Sequence, residues 1–251
     1  MADLVVNEAR DQECAELTAI GENLQDTLAE SDTIAGESWD PMIRYGVIHL
    51  TGALTEKEQQ ELFQQVKECW GKQCGSGAYK SFHISSGTSG PHRREPLHEL
   101  GDMLYARVAS ELEQLTEIQL AEPAWKRMAS AYSGGKQIKT NHVSGVNYQP
   151  GGKMLNHTDC DKPLYTMSLA LGEACDFTVG RRTAKPRANE ISGEPVTVRM
   201  ESGDVIFFDG GSVPHAVDRI HNGTAPKWWQ TAKEAQSSGN ARVSILFRAW
   251  E

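Results

Sequence analysis

The chain has 251 residues, 39% of them AVILMFWYC and 24% charged, with 23 glycines and a formal charge of −9 at pH 7. That composition is ordinary for a globular protein of one large domain or two small ones, and it excludes wholesale disorder. No apolar run approaches the ~18 residues a membrane helix needs, and the start, Met1-Ala2-Asp3-Leu4, lacks the basic-then-apolar layout of a secretory signal; the expectation is an intracellular protein, cytoplasmic or nuclear, monomeric and without a membrane partner.

Residues 1–40 hold eleven acids against Arg10 alone, a net of −10 that leaves about +1 for residues 41–251. They read as an acidic N-terminal arm, loosely helical over 5–30 and linker-like from Ser31 to Trp39. The pattern then becomes ordered. Tyr45–Leu50 reads as a strand, and Thr55 with Glu58 forms a capping box that opens a helix running to Trp70. Gly71–Arg94, rich in Gly, Ser, His and aromatics, has no clear period and reads as a long loop or small ribbon. A second helix is expected over Leu97–Thr116, with Leu100, Met103, Leu104, Val108, Leu112 and Leu115 on one face. The five cysteines are odd in number and scattered, so reduced thiols are expected; Cys69 and Cys74 are a C-x4-C pair without a second pair at zinc-site spacing.

From about residue 141 the texture changes to short strands at intervals of about ten residues: His142–Gln149, Met154–Asp159, Leu164–Leu171, Cys175–Arg181, Pro195–Met200, Asp204–Asp209, His215–Ile220 and Arg242–Trp250. This predicts a mixed α+β protein: a double-sheet jelly roll over 141–251, with 41–140 as an α/β extension.

Three residues in this region suggest a metal. His157 and Asp159 stand two apart on one predicted strand, so their side chains share a face. His215 starts another strand after the turn-rich Asp209–Pro214. Two histidines and one aspartate form a facial triad that leaves iron(II) open positions for a co-substrate and O2, although zinc accepts the same donors. Arg242 and Arg248 stand six apart on the last strand, on the face opposite Val243, Ile245 and Phe247. Buried guanidinium groups require anions, and a dicarboxylate such as 2-oxoglutarate satisfies them: its oxo-acid end chelates iron and its far carboxylate accepts a bidentate fork. Exposed edge-strand arginines are the plainer alternative.

Taken together, Tyr148–Gly152, His157–Asp161, Met167–Gly172, Gly203-Asp204-Val205, His215 and the R-x5-R of 242–248 resemble the AlkB family of iron(II)/2-oxoglutarate dioxygenases across residues 141–251. The resemblance implies a double-stranded β-helix fold, with substrate recognition carried by the 41–140 extension. It implies His157, Asp159 and His215 as iron ligands, Arg242 and Tyr148 on the distal carboxylate of 2-oxoglutarate, and Arg248 nearer the chelating end. Ser244 stands where the family often has a polar amide. Asp161 matches a position whose carboxylate meets the substrate base. Val146 departs from the pattern, which commonly has Asn two residues before the Tyr; Asn147 is next to it but on the other face of the strand.

The activity so implied is oxidative demethylation of alkylated bases in DNA or RNA, with release of formaldehyde, succinate and CO2. The alternatives are a 2-oxoglutarate-dependent hydroxylase of a protein side chain or small molecule, and a non-catalytic metal-binding jelly-roll module. A flipped base needs an aromatic platform and a phosphate-binding rim. Platform candidates are Trp70, Tyr79, Phe82, His83, Trp125 and Tyr132; rim candidates are His92-Arg93-Arg94, Lys136, Lys139, Arg181 and Arg182. Trp228-Trp229, in the insert 222–240, offers a lid, a partner contact or packing over the barrel mouth.

Overall fold

The computed structural model describes residues 40–72, 79–87, 93–113, 124–125, 138–232 and 240–250. The acidic arm up to residue 39, together with Cys14, Cys74, His92, Lys126, Arg127, Tyr132 and Lys136 and the side chain of Trp70, lies outside the described residues. Among those described, no helix is long and apolar enough to cross a membrane.

A short helix α1 (Asp40–Ile43) leads through a turn closed by Tyr45 N–H to the Met42 carbonyl (2.9 Å). The expected first strand is therefore trimmed to β1 (Ile48–Leu50). Helix α2 (Glu56–Val66) begins at the capping box, where the Thr55 N–H donates to Glu58 Oε2 at 2.6 Å and the Glu58 N–H donates back to Thr55 Oγ1 at 3.4 Å. Its continuation over Lys67–Lys72 tightens into a 3₁₀ helix. Helix α3 (Glu95–Leu112) starts with Pro in its first turn, where a missing N–H costs nothing. Leu100, Leu104, Val108 and Leu112 are buried on its inner face, as the spacing predicts.

All eight expected strands are present: β3 (His142–Tyr148), β4 (Met154–His157), β5 (Tyr165–Gly172), β6 (Ala174–Val179), β7 (Val196–Met200), β8 (Val205–Asp209), β9 (His215–His221) and β10 (Arg242–Ala249). One more, β2 (Tyr79–Ser86), runs through the segment read as a loop or ribbon. It adds to the edge of β3 as a full sheet strand, with a register irregularity between His83 and Ser85. The strands form a six-stranded sheet in the order β1-β8-β5-β10-β3-β2 and a four-stranded sheet in the order β4-β9-β6-β7, with every pairing antiparallel. This is the expected jelly roll with an α/β extension.

The two central strands show how the sequence sorts its side chains. Along β5, Met167, Leu169 and Leu171 join a core shared with Leu62, Phe63 and Leu104 of the helices, while Ser168 and Ala170 face the space between the sheets. Along β10, Val243, Ile245 and Phe247 face the helices, leaving Arg242, Ser244, Leu246 and Arg248 for the interior. Phe63 of α2 is fully buried and meets Trp228 and Trp229 edge-on at 5.6 and 5.2 Å; Trp229 lies in helix α4 (Lys227–Thr231). Burying a ring of this size stabilises the fold by about 1.5–3 kcal/mol. The tryptophan pair thus packs behind the large sheet and not over the barrel mouth.

Asp204 ties the extension to the roll. Its carboxylate accepts from the Gly52 and Glu201 N–H groups, both at 2.8 Å, and lies 3.1 Å from His49 Nε2. Gly203, at φ +92°, makes the turn that presents it.

Candidate active site

The mouth of the roll lies where β4 and β9 end side by side, with His157 paired to His215 in register. β4 stops at His157, so Asp159 is not on the strand as expected but in the bend beyond it. Its side chain converges on the histidines because the bend is pinned: Asp159 N–H donates to the Gly210 carbonyl, and Gly210 N–H to the Leu164 carbonyl, each at 2.8 Å. A Cβ on Gly210 would meet Asp159 Oδ2 at 2.6 Å, and one on Gly211 would meet the Lys162 carbonyl at 1.8 Å. The two glycines let the 157–162 and 209–215 segments approach this closely. Asp209 organises the second segment: one oxygen accepts from the Leu164 and Gly211 N–H groups at 2.9 and 3.0 Å, and the other from the Ser212 hydroxyl.

One ligand atom from each of His157, Asp159 and His215 lies within 4.8 Å of the others. Asp159 Oδ1 is 3.5 Å from His157 Nε2 and 3.8 Å from His215 Nε2. Each Nδ1 donates to a carbonyl two residues upstream, His157 to Leu155 at 2.8 Å and His215 to Val213 at 3.1 Å. That fixes both tautomers and leaves both Nε2 lone pairs directed at a common point, the support a metal-binding histidine requires. Burial pushes the His215 imidazole down to about 4, so it is neutral at pH 7. Burial is the largest influence on both His157 and Asp159 and disfavours their charged forms, but the remaining contacts together outweigh it: the Asp159 carboxylate and the Leu155 carbonyl raise the His157 imidazole, and His157, His215 and Arg248 hold the Asp159 carboxyl well below its usual range. An anionic carboxylate beside a neutral imidazole suits a divalent cation.

Between the sheets, the triad opens onto a cavity of about 260 Å³. Phe208 and Phe177 wall it, their ring centroids 4.6 and 6.0 Å from that of His215. Tyr148, Ser244, Ser168, Ser144 and Arg248 add polar groups. Arg248 Nη1 donates to Ser144 Oγ at 2.9 Å and Nη2 lies 3.5 Å from Asp159 Oδ2. Val146 also lines the cavity, while Asn147 is buried elsewhere with its amide unpartnered.

Arg242 is the exception to the expected gathering. It is 1% exposed and does not line the cavity; Nη1 donates to the Glu173 and Met200 carbonyls at 2.8 and 3.4 Å, and Nε is buried without a partner. Among the described residues no carboxylate pairs with it. Asp161 is exposed and lines a second, outer recess.

Most substrate-side candidates fall elsewhere. Phe82 and Trp125 are core residues, whereas Tyr79 is 39% exposed at the cavity and His83 is exposed. The rim is largely neutralised: Arg93 is bonded to Glu95, Lys139 sits 3.1 Å from Asp102, and Arg181 forks onto Asp218 at 3.0 and 2.8 Å. Arg94 donates to the Gln65 carbonyl at 3.0 Å, which leaves Arg182 exposed. Sequence reasoning missed Phe177, Phe208, Ser144 and Ser168. Alternation along β3, β5, β6 and β8, referred to His215, is the signal that marks their faces as inward.

A closed double sheet with a two-histidine, one-carboxylate cluster at its mouth defines a metal-dependent jelly-roll protein. The particular family follows from comparison: residues 46–248 match the model of the 2OG-Fe(II) oxygenase superfamily, and the chain belongs to it. It is therefore an oxidoreductase using Fe(II), 2-oxoglutarate and O2. Among solved structures it resembles OsALKBH1, at 19% identity over 81% of this chain and 97% of that one, with a TM-score of 0.57. Looser likenesses include HygX from Streptomyces hygroscopicus with nickel and 2-oxoglutarate bound (9% identity, 86% and 87% covered, TM-score 0.49). A Pseudomonas putida prolyl-4-hydroxylase is another (13%, 84% and 96%, TM-score 0.45). No curated protein matches the chain.

Proposed function

We propose that the protein oxidatively demethylates alkylated bases of DNA or RNA, with iron(II) held by His157, Asp159 and His215. The observation that carries this reading is the inward face of β10, where Arg242, Ser244 and Arg248 follow the triad in the order of the AlkB pattern. The fold likeness to OsALKBH1 agrees with it.

The residues fit the cofactors. Both Nε2 atoms are free for a metal, and the Nε atoms of Arg242 and Arg248 are buried donors without acceptors. A buried unpaired guanidinium is costly, and a carboxylate relieves it. Swung from the Glu173 and Met200 carbonyls towards the cavity, Arg242 would hold the far carboxylate of 2-oxoglutarate with the Tyr148 hydroxyl, with Ser244 beside it and Arg248 at the chelating end. When bound, iron and 2-oxoglutarate supply the oxidising power, using O2 and leaving succinate and CO2. The chain supplies position and dryness: Phe177 and Phe208 exclude water behind His215, and Arg248 orients Asp159. Burial keeps the Tyr148 phenol protonated, so it donates its hydrogen bond. Asp161 would accept a hydrogen bond from the substrate base at the entrance.

One observation favours a second reading, hydroxylation of a protein side chain or small molecule: most of the expected phosphate rim is already paired. The test is mass-spectrometric screening of N-alkylated oligonucleotides with iron(II) and 2-oxoglutarate, alongside binding at rising salt. Formaldehyde release with salt-weakened binding supports demethylation. Succinate formation with peptides or small molecules alone moves the assignment to the second reading.

A further inference from the structure

A recess of about 520 Å³ lies outside the inner cavity and shares only Asp159 and Arg248 with it. We propose that this recess, walled by Trp250 and His142, holds the nucleobase that flanks the reacting one, so that the substrate is read as at least a dinucleotide. The proposal rests on the nucleic-acid reading above.

The argument starts from Trp250, which is 50% exposed although an indole gains more than most side chains from burial. Its main chain is tethered, because its backbone N–H donates to Asn141 Oδ1 at 3.0 Å. The indole begins a file of three rings across neighbouring strands: His142 lies 6.2 Å from Trp250 at 40°, and His83 lies 5.0 Å from His142 at 36°. Pro163 and Leu164 give the recess an apolar side.

Charge decides what kind of planar group fits. The exposed Lys162 ammonium offers a cation at the recess, and Asp161 offers a second carboxylate oxygen beside the one that would accept from the reacting base. A flat ring carrying both a donor edge and a linked anion satisfies both, and a nucleotide is such a group. Continuity supports the same occupant. A base placed against the triad has its phosphodiester neighbour at the shared Asp159–Arg248 wall, which is where the recess begins.

The test compares turnover of a mononucleotide bearing an N-methylated base with that of dinucleotides and trinucleotides extended on either side of it. In the wild-type full-length protein with iron(II), the KM should fall about ten-fold when the correct flanking nucleotide is added, the worth of one stacked base. Trp250→Ala should abolish that gain, Trp250→Phe should restore most of it, and Lys162→Ala should lower the salt dependence of oligonucleotide binding by about one ion. Quenching of indole fluorescence by unmodified oligonucleotide should be smaller in Trp250→Phe than in wild type. A Trp250→Ala protein that melts like wild type and keeps the full gain overturns the recess assignment alone. A wild-type protein that binds and turns over no oligonucleotide overturns the nucleic-acid reading itself.

Discussion

Replacing Arg242 with methionine separates the stability of the fold from its demand for an anion. In the ligand-free protein Arg242 is 1% exposed, and among the described residues its guanidinium has two carbonyls and the Met200 sulfur as partners. Losing two neutral-acceptor hydrogen bonds costs roughly 1–3 kcal/mol. Removing a buried, uncompensated cation returns a desolvation penalty of several kcal/mol. The two nearly cancel, so the variant should melt within about 6 °C of wild type, at ~2–4 °C per kcal/mol for a chain of this size. The response to 2-oxoglutarate should differ sharply. With manganese(II) in place of iron to prevent turnover, 2-oxoglutarate at 100 times its Kd stabilises wild type by about 2.7 kcal/mol, a rise of roughly 5–10 °C. Truncating one partner of a buried charge pair costs about 2–5 kcal/mol, so the variant should bind at least ~30-fold more weakly and show little or no rise at the same concentration. Differential scanning fluorimetry with and without 2-oxoglutarate measures both quantities. An undiminished 2-oxoglutarate shift in Arg242→Met would refute the role given to the guanidinium.

Asp159→Asn should abolish tight manganese(II) binding, with a loss exceeding the ~10–100-fold that a supporting hydrogen bond contributes; equilibrium dialysis reads it directly. Gly210→Ala should weaken metal binding more than it lowers the melting temperature, because its Cβ strikes the Asp159 carboxylate at 2.6 Å and meets only the buried Thr166 hydroxyl besides, at 3.1 Å. A normal metal affinity in that variant would show that the ligand loop does not depend on the close approach. Stability of the metal-free protein should fall as pH drops from about 6.5 towards 4. Burial, with Arg248 and His83 nearby, pushes His142 down to about 4, so below the ordinary value near 6.5 the unfolded chain takes up a proton that the folded one refuses. His98, lowered mainly by burial, acts in the same direction. Melting curves between pH 7.5 and 4.5 check the sign, and His142→Gln should flatten them.

How much of this was legible beforehand depends on whether a signal is local. The eight roll strands were visible because β5 and β10 alternate cleanly or run apolar, and the capping box because Thr55 and Glu58 are three residues apart. The triad was legible through residue type and spacing, although Asp159 reaches it from a bend pinned by its contact with Gly210, far along the chain. β2 was hidden because its buried apolar residues, Phe82 and Ile84, sit among Lys, Ser and His; its strand character comes from lying against β3, where Phe82 fills the space a side chain at Gly145 would occupy. Arg242 was placed on the correct face, but that face says nothing of where a side chain with about four rotatable bonds finally points.

The substrate side was the least legible, for a reason that bears on what binds there. A count of bases cannot distinguish a free cation from a neutralised one, and Arg181 is neutralised by Asp218, thirty-seven residues away on β9. On the proposed nucleic-acid reading, a rim so paired among the described residues would attract a polyanion weakly, and affinity would come from ring faces and from exposed cations such as Lys162 and Arg182. Such a site would favour unpaired, splayed bases over intact duplex, because only there would two successive ring faces be available, one for the triad and one for Trp250.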